Sequence, residues 1–428
     1  MNRFLPNRAE ILNKHKAYLC SVFVSVVLVS ILALPQPAVG QASTEFIDTA
    51  YIREQINKYE SAKSSIDRWE IDAEVQTRVK YLCDLMRKEY QGNQRRNLVS
   101  DQVLAELESG IPSTGFIPLT EMGSGQTYKG QDGGLYGSGN NDPPPAHQQA
   151  AMEAVSRITP RDGDGNPSPD GKIVLMAVGM SNTHINFAMF KQMAEADLVK
   201  ADCVVLVNAA AGGQDARVWA DPTADYGRQL TIPGVGGKGN AWDYADAMLA
   251  AEGVTPAQVQ ALWIYQALMS PGRRYGAFPE HAELLKECIG VIVREAKRRY
   301  PNLQIVLISS RTYAGYAVRE LNPEPYAYES AFAVRWLIQE QINGSPRYNY
   351  DPAVGPVVAP VMVWGPYLWA DGVRPRLSDG LVWQREDFSP VPDGTHPSAK
   401  GARKVGQLLL DFFKTDELTK QWFLQSNK

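Results

Sequence analysis

The chain predicts an α/β protein: a mainly parallel sheet in a three-layer α/β/α sandwich, preceded by a helical extension. Three observations carry this. From Lys172 onward, short and nearly continuous apolar runs alternate with segments of helical period. Runs of that kind fit strands buried on both faces, which parallel sheets with helical crossovers provide. The third observation is bulk. A chain of 428 residues with 44% hydrophobic and 21% charged residues has the composition of a folded globular protein and the length for two or three domains.

The first 42 residues read as an address. Arg3, Arg8, Lys14 and Lys16 precede an apolar run from Ala17 to Leu34, and Ala38, Gly40 and Ala42 follow Pro35. A basic head, an apolar middle and small residues before a cut are the parts of a secretory signal peptide. The run is also close to the roughly 20 residues of a membrane span, so an uncleaved anchor is the alternative. Either reading places the protein outside the cytoplasm, secreted, periplasmic or on the cell surface. Residues 43–110 have few glycines and place Ile71, Val75, Val79, Leu82 and Met86 at helical spacing, which predicts a helical extension. Residues 111–171 contain a glycine-rich stretch, three prolines at 143–145 and a helix over 147–158, expected to pack on the main domain. A long loop of that kind is often functional.

The main domain spans 172–428. Its strand runs are Ile173–Val178, Cys203–Val207, Ala261–Tyr265, Leu303–Ile308 and Val357–Trp364. Pro360 in the last run suits an edge strand or a bulge, because proline has no N–H for a ladder. Helical segments fall near 183–197, 240–250, 279–299 and 325–342, and the final one, about 398–413, aligns Val405, Leu408, Leu409 and Phe412. Four cysteines in 428 residues exclude a disulfide scaffold, and no zinc-type pair is present. Beyond the leader, Cys83, Cys203 and Cys288 allow at most one internal bridge, and Cys203, in an apolar run, reads as a buried thiol. The balance of 43 basic and 47 acidic residues gives no basic excess of the kind nucleic-acid binding uses.

In an open parallel sheet, ligands bind beyond the carboxyl ends of the strands. The residues that follow each strand therefore matter most. Gly179-Met180-Ser181 follows the first, Asn208 and then Gly212-Gly213 the second, and Gln266 the third, while Asp393-Gly394-Thr395-His396-Pro397 precedes the last helix. A serine hydroxyl needs a neighbouring base to become a nucleophile, and the imidazole needs a carboxylate to orient it. Ser181, His396 and Asp393 supply these three roles at one sheet edge. Oxyanion donors are available from the Ser181 and Gly212 or Gly213 N–H groups and from the Gln266 side chain. Ser181 as a plain helix N-cap and Gly212-Gly213 as a plain turn are the competing readings. An α/β-hydrolase elbow is excluded, because Thr183 stands where Gly-x-Ser-x-Gly needs its second glycine.

At these residues, over about 172–414, the chain resembles the SGNH (GDSL-type) hydrolase superfamily. The Asp393–Pro397 block matches closely; Met180 stands where the family usually has Asp or Gln, and the Gly-x-Asn-Asp block is missing. Trp263–Gln266 instead looks like the Trp-x-Gln element of sialate and other carbohydrate O-acetylesterases in that superfamily. The resemblance implies a flavodoxin-like sheet and a serine esterase acting on O-acyl groups, acetyl on a carbohydrate before lipid. No metal or organic cofactor is implied. The partner expected is a small-molecule or carbohydrate ester, with no nucleic acid, and with membrane contact only through an uncleaved leader. The rival is a non-catalytic glycan-binding protein on the same fold, using the loop aromatics Trp219, Tyr313, Tyr316, Tyr326, Tyr328, Tyr367, Trp369 and Trp383. The loop from Asp162 to Asp170 imitates a calcium loop, but Pro167 replaces its glycine and Ile173 its bidentate Glu, so a polar turn is expected.

Overall fold

The computed structural model describes residues 113–425, apart from 124, 224–228, 235 and 390–393. The leader, the 43–110 extension, Cys20, Cys83 and Asp393 lie outside the described residues. The core is a five-stranded, wholly parallel sheet built from β1 (Ile173–Gly179), β2 (Val204–Asn208), β5 (Val259–Tyr265), β6 (Ile305–Ser309) and β7 (Val361–Trp364). Its spatial order is β2-β1-β5-β6-β7. Counting the sheet's own strands, that is 2-1-3-4-5, the flavodoxin-like order, whose switch point lies between the first and third strands. Strands β1, β5, β6 and β7 are buried at every position, as their unbroken apolar runs require. Strand β7 is an edge, and Pro360 stands just ahead of it, where it costs no ladder bond. A two-residue hairpin, β3 (Leu230–Thr231) and β4 (Lys238–Gly239), lies apart from the sheet.

Nine α-helices complete the described fold: α1 (Pro145–Ser156), α2 (Ser181–Glu195), α3 (Ala216–Ala220), α4 (Ala241–Ala251), α5 (Pro271–Arg274), α6 (Glu280–Arg299), α7 (Tyr326–Ile342), α8 (Ala399–Thr415) and α9 (Lys420–Phe423). One layer holds α1, α2, α8 and α9; α6 and its neighbours α3 and α7 form the other. The α2–α8 contact is close because its residues are small. Ala402 and Gly406 are buried in α8, and a Cβ at Gly406 would lie 3.1 Å from Met189 and Met193. The buried stripe is therefore Ala402, Val405, Gly406, Leu409 and Phe413, with Phe190 of α2 stacked on Phe413. Leu408 and Phe412, expected on that stripe, are only half-buried. Cys203 precedes β2, is half-buried and is free, against the expectation of a buried thiol, while the buried Cys288 is also free. No helix among the described residues is long and apolar enough to cross a membrane.

The glycine-rich segment is ordered by two anchors. Asp371 accepts hydrogen bonds from Ser113 Oγ (2.5 Å), from Thr114 N and Oγ1 (2.7 Å each) and from Gly115 N (3.0 Å). Arg335 of α7 donates to the Asp132 carbonyl at 2.6 Å and pairs with its carboxylate. The Asp162 carboxylate is occupied by the amides of Asp164 and Asn166, so this loop is a polar turn. His147 is buried with Nε2 on the Met362 carbonyl, behind β7, and His281 of α6 is buried against its neighbour Glu329 at 2.6 Å.

Glu324 gives the fold a pH dependence of known sign. Its carboxyl accepts from Ala314 N, Tyr328 N and Trp369 Nε1, and burial pushes it up to about 7 despite those donors. The folded state thus holds this proton more tightly than the unfolded chain, where a Glu titrates near about 4.3. Its contribution to stability falls as pH rises from the unfolded value through about 7. Urea titrations at pH 5 and pH 8 should show wild type losing stability relative to Glu324→Gln as pH rises; a constant difference between the two would reject this.

Candidate active site

The site forms where β1 gives way to α2 at the switch point of the sheet. Gly179 ends β1, and a side chain there has no room: a Cβ would lie 2.1 Å from Thr183 Oγ1 and 2.6 Å from the Tyr265 carbonyl. Thr183 Oγ1 donates to that carbonyl at 2.5 Å, fastening the first turn of α2 to the end of β5. Met180 is the N-cap, in an extended conformation and without a side-chain cap bond, so Ser181 is the first helical residue. Its hydroxyl therefore does not cap the helix. It meets His396 Nε2 at 2.7 Å. Two residues 215 apart in sequence are thus in hydrogen-bond contact at the positive end of a 15-residue helix.

His396 is held from three sides. The Asn182 side chain donates to the Thr395 carbonyl at 2.9 Å, and Ser389 N donates to the carbonyl of His396 at 2.8 Å. Gly394, at φ +59°, lies so close to Tyr316 that a Cβ would sit 2.0 Å from its carbonyl oxygen. Downstream, Ser398 caps α8 by accepting from Gly401 N. Asp393, the expected orienter of the imidazole, lies outside the described residues.

The loop after β2 turns back toward this edge. Ala211 N donates to the Gly179 carbonyl at 3.1 Å, and Gln214 N closes a turn on Ala211 O, with Gly213 at φ +78° in its third position. That is the position where a type II turn requires a left-handed residue. The N–H groups of Gly212 and Gly213 make no hydrogen bond among the described residues, and nothing lies within 4 Å of a Cβ built on either. Asp215 then straps this loop to the one after β5, accepting from Val218 N and Met269 N. Gln266 is 1% exposed; its Nε2 reaches the Gln214 carbonyl at 3.5 Å and its Oε1 accepts from Ala267 N at 3.3 Å. It works between the two loops. His184 turns Nδ1 to the Ala210 carbonyl at 2.9 Å and stays exposed.

The aromatics expected on loops are not a platform, and three of them stand in helices, Trp219 in α3 and Tyr326 and Tyr328 in α7. Trp219, Tyr313, Tyr316, Tyr328, Tyr367, Trp369 and Trp383 are all buried, and only Tyr326 is half-exposed. They pack on one another, as in the Tyr313–Tyr316 and Tyr328–Trp369 edge contacts, and their polar ends bond to backbone: Tyr316 to Trp383 O, Trp383 to Leu368 O.

Asn182 escaped the sequence reading, since an Asn in the first turn of a helix carries no signal for a partner 213 residues away. Its replacement by Ala removes a buried hydrogen bond to the Thr395 carbonyl, a loss of about 0.5–1.5 kcal/mol. It also frees the His396 loop to drift. Steady-state kinetics on an ester should show kcat down about 10²-fold with KM little changed; an unchanged kcat would show that this contact does not position His396.

As to what the geometry permits, a serine at a helix N-terminus, an imidazole nitrogen at 2.7 Å and nearby unclaimed N–H groups are the parts of a nucleophile, base and oxyanion site. No group of His, Cys, Asp and Glu among the described residues is arranged to hold a metal ion. No protein-family model matches the chain, and no curated protein matches it either.

Proposed function

We propose that the protein is an exported serine ester hydrolase of the SGNH type. The observation that carries this reading is the Ser181 Oγ–His396 Nε2 contact of 2.7 Å at the switch point of the sheet. His396 takes the proton from Ser181 as the hydroxyl attacks the ester carbonyl. The tetrahedral oxyanion is met by the N–H of Ser181 with that of Gly212 or Gly213, aided by the dipole of α2. His396 then passes the proton to the leaving alcohol and activates the water that frees the acyl group. Asp393 orients the imidazole, and Gln266 supports the oxyanion side by fixing the two loops that frame it.

The acyl group is read as acetyl and the alcohol as a carbohydrate from the Trp263–Gln266 resemblance alone, because the buried aromatics offer no sugar-stacking face. The burial of seven of the eight also favours the esterase over a non-catalytic glycan-binding protein, which needs exposed rings. The test is hydrolysis of p-nitrophenyl acetate by the full chain, with a fluorophosphonate used to trap the nucleophile. Turnover, with the adduct mapped to Ser181, is the expected result. A protein that neither turns over esters nor takes the label, while correctly folded, is not a serine esterase.

A further inference from the structure

The mechanism above leaves one charged group unused. Arg311, two residues beyond the end of β6, is 1% exposed, and its guanidinium makes no hydrogen bond or ion pair among the described residues. Its Nε and Nη1 are buried and unpartnered. Its single described contact is with the face of Tyr265, 4.8 Å from the ring centroid. Arg335 makes the contrast. It is 2% exposed, yet it spends Nη1 on the Asp132 carbonyl and carboxylate, as a structural arginine does. A buried guanidinium without a counter-charge is costly, and folds retain one where something else supplies the charge.

Its place in the sheet says where that charge belongs. Gly179, Tyr265 and Ser309 lie in register across β1, β5 and β6. Adjacent strands are about 4.8 Å apart, so Gly179 and Ser309 are separated by about 10 Å. Each is followed two residues later by a functional group, Ser181 on one side and Arg311 on the other. The strand between them contributes Tyr265, whose carbonyl is fastened to α2 by Thr183 and whose hydroxyl accepts from Thr312 N at 3.1 Å. Trp263 and Tyr265 stack on each other, and Trp263 stacks on Phe187 of α2, so the Tyr265 ring and the guanidinium over it lie on the α2 side of the sheet. Arg311 and Ser181 thus share one sheet end and one face.

We propose that Arg311 is a specificity residue that recognises a negative group, a carboxylate or its like, on the ester substrate. Guanidinium presents a planar fork matched to a carboxylate, and the Tyr265 ring beneath it holds it in place. This rests on the esterase reading for the identity of the reaction, but not for the binding of the anion.

The experiment has two parts. The first compares kcat/KM for mono-p-nitrophenyl glutarate with its methyl-capped, neutral counterpart, and for acetylated glucuronate with acetylated glucose. The pairs place the charge in the acyl part and in the alcohol, respectively. A preference of about 10²-fold for the charged member of one pair is expected. In Arg311→Met that ratio should collapse toward one, and in Arg311→Lys it should be partly kept. The second part measures the shift in thermal unfolding produced by succinate against succinamide in wild type, in Ser181→Ala and in Arg311→Met. Stabilisation by succinate alone, in the first two proteins only, is expected whether or not esters are cleaved. No charge preference in either pair together with no succinate shift in wild type overturns the proposal. So does an Arg311→Met protein that folds and slows charged and neutral esters equally, since Arg311 would then act on the machinery and not on the substrate. Should Arg311→Met fail to fold, the wild-type and Arg311→Lys measurements decide the matter.

Discussion

Ser181→Ala should lower ester turnover by about 10⁴-fold or more, His396→Ala by a similar factor, and the double variant by no more than either alone. The argument is the shared proton. In the resting site one hydrogen bond of 2.7 Å joins Ser181 Oγ to His396 Nε2, and neither group has a catalytic use without the other. Residual activity in all three proteins should be equal, because the N–H groups of Ser181, Gly212 and Gly213 stay in place whichever side chain is removed. Stability should barely change in Ser181→Ala. The hydroxyl caps nothing, Met180 being the N-cap, and alanine is a good helix former in the first turn. Rates of p-nitrophenyl acetate hydrolysis under saturating conditions, with thermal unfolding beside them, read both quantities. Losses that add in the double variant would mean that the two residues act independently, and the proposed proton transfer between them would be wrong.

That pair was legible because the sequence order of a parallel α/β sheet already fixes which loops share an edge. A serine after the first strand and a histidine just before the last helix meet in this topology wherever the intervening chain wanders, and here they do. The strand runs were equally legible, since burial on both faces leaves an unbroken apolar signature. What escaped is whatever depends on fit rather than order. The α8 stripe was displaced because its contact with α2 is set by Ala402 and Gly406, whose small side chains carry little hydrophobic signal. The late aromatics fitted a ligand face and local packing alike, because composition cannot say which way a ring turns; seven of the eight turn inward. Arg311 had no signal at all, since a buried arginine and a surface one are the same letter. Gln266 was placed at the right edge, but its role between two loops depends on Gln214 and Ala267, contacts that spacing does not encode.

Gly394→Ala should lower kcat by about 10²-fold, although residue 394 carries no side chain. Two penalties coincide at this position. The backbone is at φ +59°, a left-handed conformation that costs an alanine about 1 kcal/mol. The added Cβ would also stand 2.0 Å from the carbonyl oxygen and 2.8 Å from the carbonyl carbon of Tyr316, and backbone cannot step aside as a side-chain tip can. The loop itself must then move. His396 is two residues away, and a displacement of about 1 Å is enough to cost about 10²-fold in rate. Overpacking of this kind destabilises by about 1–3 kcal/mol, so thermal unfolding and kcat should fall together. Gly213→Ala is the control that separates the two causes. Its φ of +78° imposes a similar backbone strain, but no atom lies within 4 Å of the new Cβ. It should lose stability through strain alone and keep the Ser181–His396 contact. A Gly394→Ala protein with normal kcat would show that the contact with Tyr316 is not what holds His396 against Ser181, and would leave Asn182 and Ser389 as the restraints that do.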